Sequence, residues 1–328
     1  MNQFRTKIPG LLLTFAIALP AWYMGKAVPI IGGPVFGILL GILLAFYKRP
    51  ANLNEGIKFT SKKVLQGAII LLGFEMNLYN IFKVGSQSLV VMLFTLTAAF
   101  ITAWLVGRSL KLQGNIATLI GVGTAICGGS AIAATAPVIK ADDKEIAYSI
   151  STIFLFNIAA VFLFPFLGHL LHMNDTGFGI WAGTAINDTS SVVAAGYSYS
   201  DAAGTLATIV KLTRTLMIIP ITLVLGIITS KKTSQHNSFQ LAKIFPWFVL
   251  GFLAASIIST LGVLPGEAAK QLAQLGKFFI VMAMAAIGLN TNLKQLVSNG
   301  IKPILLGLCC WASVALTSLA VQYFMHLW

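Results

Sequence analysis

Charge is what this chain has least of. Only 9% of its 328 residues are Asp, Glu, Lys or Arg, against about 25% in soluble domains. No stretch is hydrophilic enough to be a soluble domain. Cysteine is scarce as well. Cys127, Cys309 and Cys310 all lie in apolar segments, which excludes a disulfide framework and any metal-ligand spacing. The formal charge of +13 raises the question of nucleic acid, but the basic residues sit in short loops between apolar runs, so nucleic acid is excluded as a partner. What the chain does have is apolar length. It is 57% hydrophobic, with a mean hydropathy of +0.87. These values define an all-α polytopic membrane protein whose first partner is the lipid bilayer.

Apolar runs of about 17–25 residues suffice to span a bilayer. Eleven transmembrane helices are expected, near 8–24, 29–47, 64–83, 87–107, 116–138, 146–170, 178–198, 203–229, 245–263, 274–297 and 303–325. The first resembles a signal peptide, with Arg5 and Lys7 before an apolar run and Ala16-Ile17-Ala18 as a cleavage site; it is read here as a retained first helix. Lys and Arg set orientation. With the N-terminus cytoplasmic, fourteen fall inside and six (Lys26, Lys83, Lys140, Lys144, Lys270, Lys277) outside, which puts the C-terminus outside.

One stretch departs from plain apolar helix. In Gly121–Pro137, four glycines fall within nine residues, and Thr124, Cys127 and Ser130 add small polar groups. Each interior Gly costs a helix about 1 kcal/mol relative to Ala. The stretch reads as a broken membrane helix, whose freed backbone groups must face protein or a cavity. Sixty residues on, Gly183-Thr184-Ala185-Ile186 repeats Gly123-Thr124-Ala125-Ile126, followed by Asn187-Asp188-Thr189-Ser190-Ser191. If every segment crosses, the two copies run the same way. Either one is re-entrant, or the likeness reflects a shared polar-break chemistry. A second echo joins Gly73-Phe74-Glu75-Met76-Asn77-Leu78 to Gly288-Leu289-Asn290-Thr291-Asn292-Leu293 at an offset of 215. Seven spans apart, its copies run in opposite directions, the signature of an inverted repeat.

Glu75, Asp188, Lys211 and Arg214 lie inside apolar spans, where a charge costs about 2.5–3.5 kcal/mol on the lenient scale. Lys211 and Arg214 share a helix face and repel unless an anion or Asp188 lies opposite. One reading is an anion-binding face with Arg as a bidentate clamp; the other is a buried salt bridge to Asp188 that staples helices. Glu75 suits a coupling proton or an interfacial acid. Asn77, Asn290 and Asn292 suit ion coordination or interhelical hydrogen bonds. Asn157 reads as packing glue, His169 and His172 as interfacial, and Cys127 as a small packed residue.

GTAICGGSAIAATAPVIKADDKEIAYSI, WAGTAINDTSSVVAAG and IVKLTRTLMIIP together resemble the YeiH-type bacterial inner-membrane proteins, the sulfate exporter family, over nearly the whole chain. CGGSAIAA is also similar to the broken-helix motif of the bile acid:sodium symporter group, which belongs with the cation:proton antiporters. That motif carries a proline where this chain has Cys127-Gly128. The resemblance implies one transmembrane domain of two inverted five-helix repeats, about 1–172 and 173–328, plus one N-terminal helix. A panel moves against a core of crossing broken helices. It puts one crossing at Cys127–Ser130 and its mate near Gly288–Asn292.

The function expected is secondary active transport, as an exporter, of a small anion: sulfate, a sulfonate or a carboxylate. Thr124, Cys127, Gly128, Gly129, Ser130, Asn187, Thr189, Ser190, Lys211 and Arg214 would bind it. Asp188, Glu75, Asn77, Asn290 and Asn292 would take a coupling proton or Na+. No other cofactor is expected, and no catalysis. Two alternatives are a passive anion channel and an intramembrane hydrolase built on Ser130. Serine chemistry lacks a mid-membrane His in a later segment, and aspartyl chemistry lacks a second Asp. The expected location is the bacterial inner membrane, with a homodimer along the added first helix as an expected assembly.

Overall fold

The computed structural model describes residues 6–28, 32–76, 78–112, 115–233, 247–291 and 300–328. Every regular element among them is helical: α1 (Ile8–Ala27), α2 (Gly33–Ala45), α3 (Asn54–Phe59), α4 (Leu65–Leu72), α5 (Leu78–Ser109), α6 (Ile116–Ala125), α7 (Gly129–Thr135), α8 (Asp143–Leu170), α9 (Asp175–Ala185), α10 (Thr189–Tyr199), α11 (Asp201–Thr215), α12 (Ile218–Thr233), α13 (Trp247–Thr260), α14 (Gly266–Asn290) and α15 (Ile301–Phe324). A π-turn, Thr60–Val64, joins α3 to α4, and a 3-10 turn, Gly73–Glu75, ends α4.

The described residues do not show eleven straight spans. Among the described residues, six helices are long and apolar enough to cross a membrane: Ile8–Ala27, Val84–Ser109, Lys144–Leu170, Asp201–Thr229, Gly266–Asn290 and Ile301–Phe324. Three shorter apolar helices, α2, α6 and α13, accompany them. Much of the difference lies in the two glycine-rich and polar stretches, which fold back on themselves. After α6 the chain breaks at Ile126-Cys127-Gly128, and Gly128 takes φ +71°, ψ −135°, a conformation open essentially to glycine alone. α7 then returns along α6, so close that a Cβ on Gly123 would meet Ile132 Cδ1 at 2.9 Å. At the base, Glu145 ties the return to the start: its carboxylate accepts from Asn115 N at 2.7 Å and Asn115 Nδ2 at 3.2 Å. Glu145 also completes a capping box with Asp142 at the head of α8.

α9 and α10 form a second hairpin. Asn174, Asp188 and Ser200 cap α9, α10 and α11 through their side chains, as these residue types do at N-caps. Ser200 Oγ donates to Asp175 Oδ1 at 2.5 Å, Tyr199 donates to the Met173 carbonyl, and the Phe178 and Tyr199 rings stack 3.9 Å apart. The two bases lie at opposite ends of α8, whose 28 residues extend about 42 Å at 1.5 Å each. Each arm of the second hairpin, at 11 residues, reaches about 16 Å, roughly half the bilayer core. The tips therefore meet in the middle: a Cβ on Gly128 would lie 3.4 Å from Asp188 Cβ.

A second group of helices, α1, α2, α4, α13 and α14, packs beside the hairpins. α2 and α14 touch through glycine. A Cβ on Gly41 would fall 2.3 Å from the Ala285 carbonyl oxygen, and one on Gly288 2.4 Å from that of Ile38, the small-residue packing typical of membrane helices. α14 runs unbroken to Asn290. Gly288 is thus a packing residue, and the stretch that meets the Cys127–Ser130 break among the described residues is 186–188. Arg49 clamps the end of α14, donating to the Leu289 carbonyl at 2.6 Å and to Asn290 Oδ1 at 3.1 Å. Partial burial lowers the Arg49 pKa from its ordinary value.

Hairpins and straight crossings assign loops to different sides. With Cys127, Cys309 and Cys310 replaced by Ala, a Lys144→Cys variant should be labelled by an impermeant thiol reagent from the same side as Tyr47→Cys, and Thr176→Cys from the other. Straight crossings would put Lys144→Cys opposite Tyr47→Cys and bring Thr176→Cys to its side.

Candidate functional site

Four half-helix ends converge where the hairpin tips meet. α6 and α9 end there with carbonyls that have no helical partner, and α7 and α10 begin there with amides that have none. The carbonyl ends carry partial negative charge and the amide ends partial positive charge. α11 crosses both tips. Gly179 and Gly183 of α9, and the pair Gly196 and Gly204, bring α9 and α10 against it; a Cβ on Gly183 would sit 2.7 Å from Val210 Cβ.

Lys211 and Arg214 face the tips from α11, each 0% exposed. Lys211 Nζ donates to the Ile126 carbonyl at 2.9 Å and the Ile186 carbonyl at 2.8 Å. Arg214 donates from Nη2 to Thr124 O at 2.8 Å, from Nε to Ala125 O at 2.5 Å, and from Nη1 to Thr184 O. Among the described residues neither forms an ion pair with Asp188. The counter-charge that two adjacent cations require is supplied by the carbonyl ends of α6 and α9. Neither sequence reading anticipated that partner, because a backbone carbonyl leaves no mark on the residue type.

The amide side is different. Asp188 Oδ2 accepts from Ser190 N at 3.0 Å and from Ser190 Oγ. Asp188 N donates to Asn157 Oδ1 at 3.2 Å, and Asn157 lies midway along α8. It is therefore part of the junction, not merely glue between helices; its visible signal was one amide in an otherwise apolar run. Asn187 is 1% exposed, yet neither its Oδ1 nor its Nδ2 has a hydrogen-bond partner. Asn157 Nδ2 and Thr124 Oγ1 are also buried and unpartnered. Each such group costs about 1–3 kcal/mol.

Of the other expected site residues, Cys127, Gly128, Thr189 and Ser190 are buried at the tips, Gly129 is half-buried and Ser130 is exposed. Glu75 and Asn290 are elsewhere. Glu75 is an exposed acid 3.5 Å from Lys277, and Asn290 is held by Arg49 at the far end of α14. Asn77 and Asn292 lie outside the described residues. Among those residues, no group of three or more His, Cys, Asp or Glu is placed to hold a metal ion.

Arg214→Ala should leave three buried carbonyls without their donor, at about 1–3 kcal/mol each. We expect a loss of at least about 3 kcal/mol in detergent unfolding. Arg214→Lys should lose less, since an ammonium retains the charge but not the planar fork. Wild-type stability in Arg214→Ala would refute the capping role.

Residues 9–307 match the family model described as Conserved hypothetical protein 698. Relatives carry the name UPF0324 membrane protein. One from Streptococcus pyogenes serotype M6 is 53% identical, with 100% of both chains covered. One from Streptococcus agalactiae serotype V is 50% identical over 99% of each, and one from Fusobacterium nucleatum is 49% identical over 96% of this chain and 97% of its own. No solved structure matches. With matches of this length and identity, the chain belongs to the UPF0324 family of bacterial membrane proteins.

Proposed function

We propose that the protein is a secondary active transporter of a small anion, working by alternating access, and not an enzyme. The observation that carries this reading is Asn187, a buried amide with no partner, beside the unpartnered groups of Asn157 and Thr124. In a membrane interior such groups are kept for something that binds. The sign of the ligand follows from the charges around them. Lys211 and Arg214 stand against one acid, Asp188, and the N-termini of α7 and α10 add positive potential. The anion would meet Asn187, Asn157, Thr124 and the free amides. Lys211 and Arg214 would set the field from behind, because their donors already serve the carbonyls. Asp188, at the head of α10, is the acid we assign to the coupling proton or Na+.

In this reading the chain has nine spans and two re-entrant hairpins. Three observations support it. Helix ends recur at the offset of 215 read from the sequence echo: α2 ends at Ala45 where α13 ends at Thr260, and α5 ends at Ser109 where α15 ends at Phe324. α4 and α14 lie an odd number of spans apart and run oppositely, as inverted mates do. The hairpins also move Lys140 and Lys144 to the side of Arg49, so the Lys and Arg count goes from fourteen against six to sixteen against four. That strengthens the case for a cytoplasmic N-terminus and external C-terminus in the inner membrane.

The test uses purified protein and a panel of sulfate, simple sulfonates and dicarboxylates, with and without Na+, read by thermal shift. Asn187→Ala removes a buried amide without a partner, so it should melt no lower than wild type, yet lose the shift that an anion gives. An unchanged anion response in Asn187→Ala, or no response in wild type, would sink the assignment.

A further inference from the structure

A second polar space lies away from the hairpin tips. A cavity of about 380 Å³ opens between the base of the second hairpin and the ends of α1, α2 and α14. Trp22, Lys26, Tyr197, Asp201, Gln274 and Lys277 line it. Lys277 is its most constrained group. The Lys277 side chain is 15% exposed, sits 5.5 Å from the Tyr197 ring centroid, and lies 3.0 Å from Asp201 Oδ2 and 3.5 Å from Glu75 Oε2. The two carboxylates are not equivalent. Glu75 ends the turn after α4, in the helix group that contains α14 itself. Asp201 begins α11, the helix that carries Lys211 and Arg214, and its side chain is 75% exposed. Asp201 is therefore in water's reach and replaceable, while Lys277 is held. On another wall, Lys26 lies 5.3 Å from the Trp22 ring centroid and forms no ion pair among the described residues.

We propose that this cavity is a vestibular binding site for a small oxyanion, held between Lys26 and Lys277, in which the Asp201 carboxylate is the tethered occupant that the anion displaces. A lysine already carrying a carboxylate at 3.0 Å has shown what chemistry it accepts, and the free charge of Lys26 adds a second contact of the same sign. Displacement also releases the head of α11 from α14, so occupancy at the mouth loosens one tie between the hairpin's base and the helices beside it. The nature of the anion rests on the transport reading above; the existence of the site does not.

The test separates the two. Binding of radiolabelled sulfate, with acetate as competitor at fixed ionic strength, is measured on the purified full chain carrying Asn187→Ala, which silences the central site. Binding should persist. Asp201→Asn should strengthen it several-fold by removing the tethered competitor, Lys277→Gln and Lys26→Gln should each weaken it at least tenfold, and Lys277→Arg should restore it. A structural ion pair gives the opposite sign: Asp201→Asn would weaken binding along with Lys277→Gln, or leave it unchanged, and either result overturns the site. Loss of all sulfate binding on Asn187→Ala alone also overturns it, while leaving the central site standing. Full sulfate binding that none of the lysine changes affects refutes both.

Discussion

A helix that stops inside a membrane strands its last carbonyls, and nothing in hydrocarbon can pair them. This chain stops two helices at one level, α6 at Ala125 and α9 at Ala185, and answers both with one turn of α11. Five carbonyls, those of Thr124, Ala125, Ile126, Thr184 and Ile186, accept from Lys211 and Arg214. Much else is constrained by that arrangement. α11 must pass within side-chain reach of both tips, so the hairpin arms that flank it need glycine at Gly179, Gly183 and Gly196. α8 must be long enough to put the two bases at opposite ends and Asn157 at the level of the tips. The two cations tolerate each other because each faces helix ends of negative sign, and that favourable term is absent from any count of charged side chains.

Much of this was legible in the residues, for reasons that can be named. Apolar length gave the membrane class, because hydropathy over a span is a sum that few local exceptions can overturn. The breaks were legible because glycine, hydroxyl and amide residues at membrane depth serve no continuous helix. The sixty-residue echo pointed at the pair of stretches that do meet. Two things were hidden. Run length alone cannot tell a crossing helix from a hairpin whose arms return to the same side, since both are apolar for the same number of residues. The information lay instead in Asn115 and Glu145, and in Asp175 and Ser200, whose pairing across 30 and 25 residues ties each base shut. Nor could the echo at Gly288 be told from a break motif: glycine at a close helix contact and glycine at a break look alike in sequence, and only Ile38 across the contact separates them.

The division of labour at the centre has a physical logic. An arginine and a lysine that hold helix ends cannot also give their strongest hydrogen bonds to a ligand. If they did, each arrival and departure would strand the carbonyls and cost the frame its stability. In the anion transporter proposed above, what is left for a ligand is neutral: the amide of Asn187, Asn157 Nδ2, the hydroxyl of Thr124 and the remaining N–H groups of two short helices. Neutral donors form hydrogen bonds roughly half as strong as charge-assisted ones, which suits a solute that must leave as readily as it arrives. In that reading the fixed cations would still select for negative charge through the potential they project. On this argument the frame sets the sign of the ligand and the unpaired amides set its shape. Asp188 sits where both meet. Its side-chain oxygen caps α10 by accepting from Ser190 N and Ser190 Oγ. In the transporter proposed above, a coupling ion taken up at Asp188 would act on both the hold on the second hairpin's tip and the anion beside it, which is the link coupled transport needs.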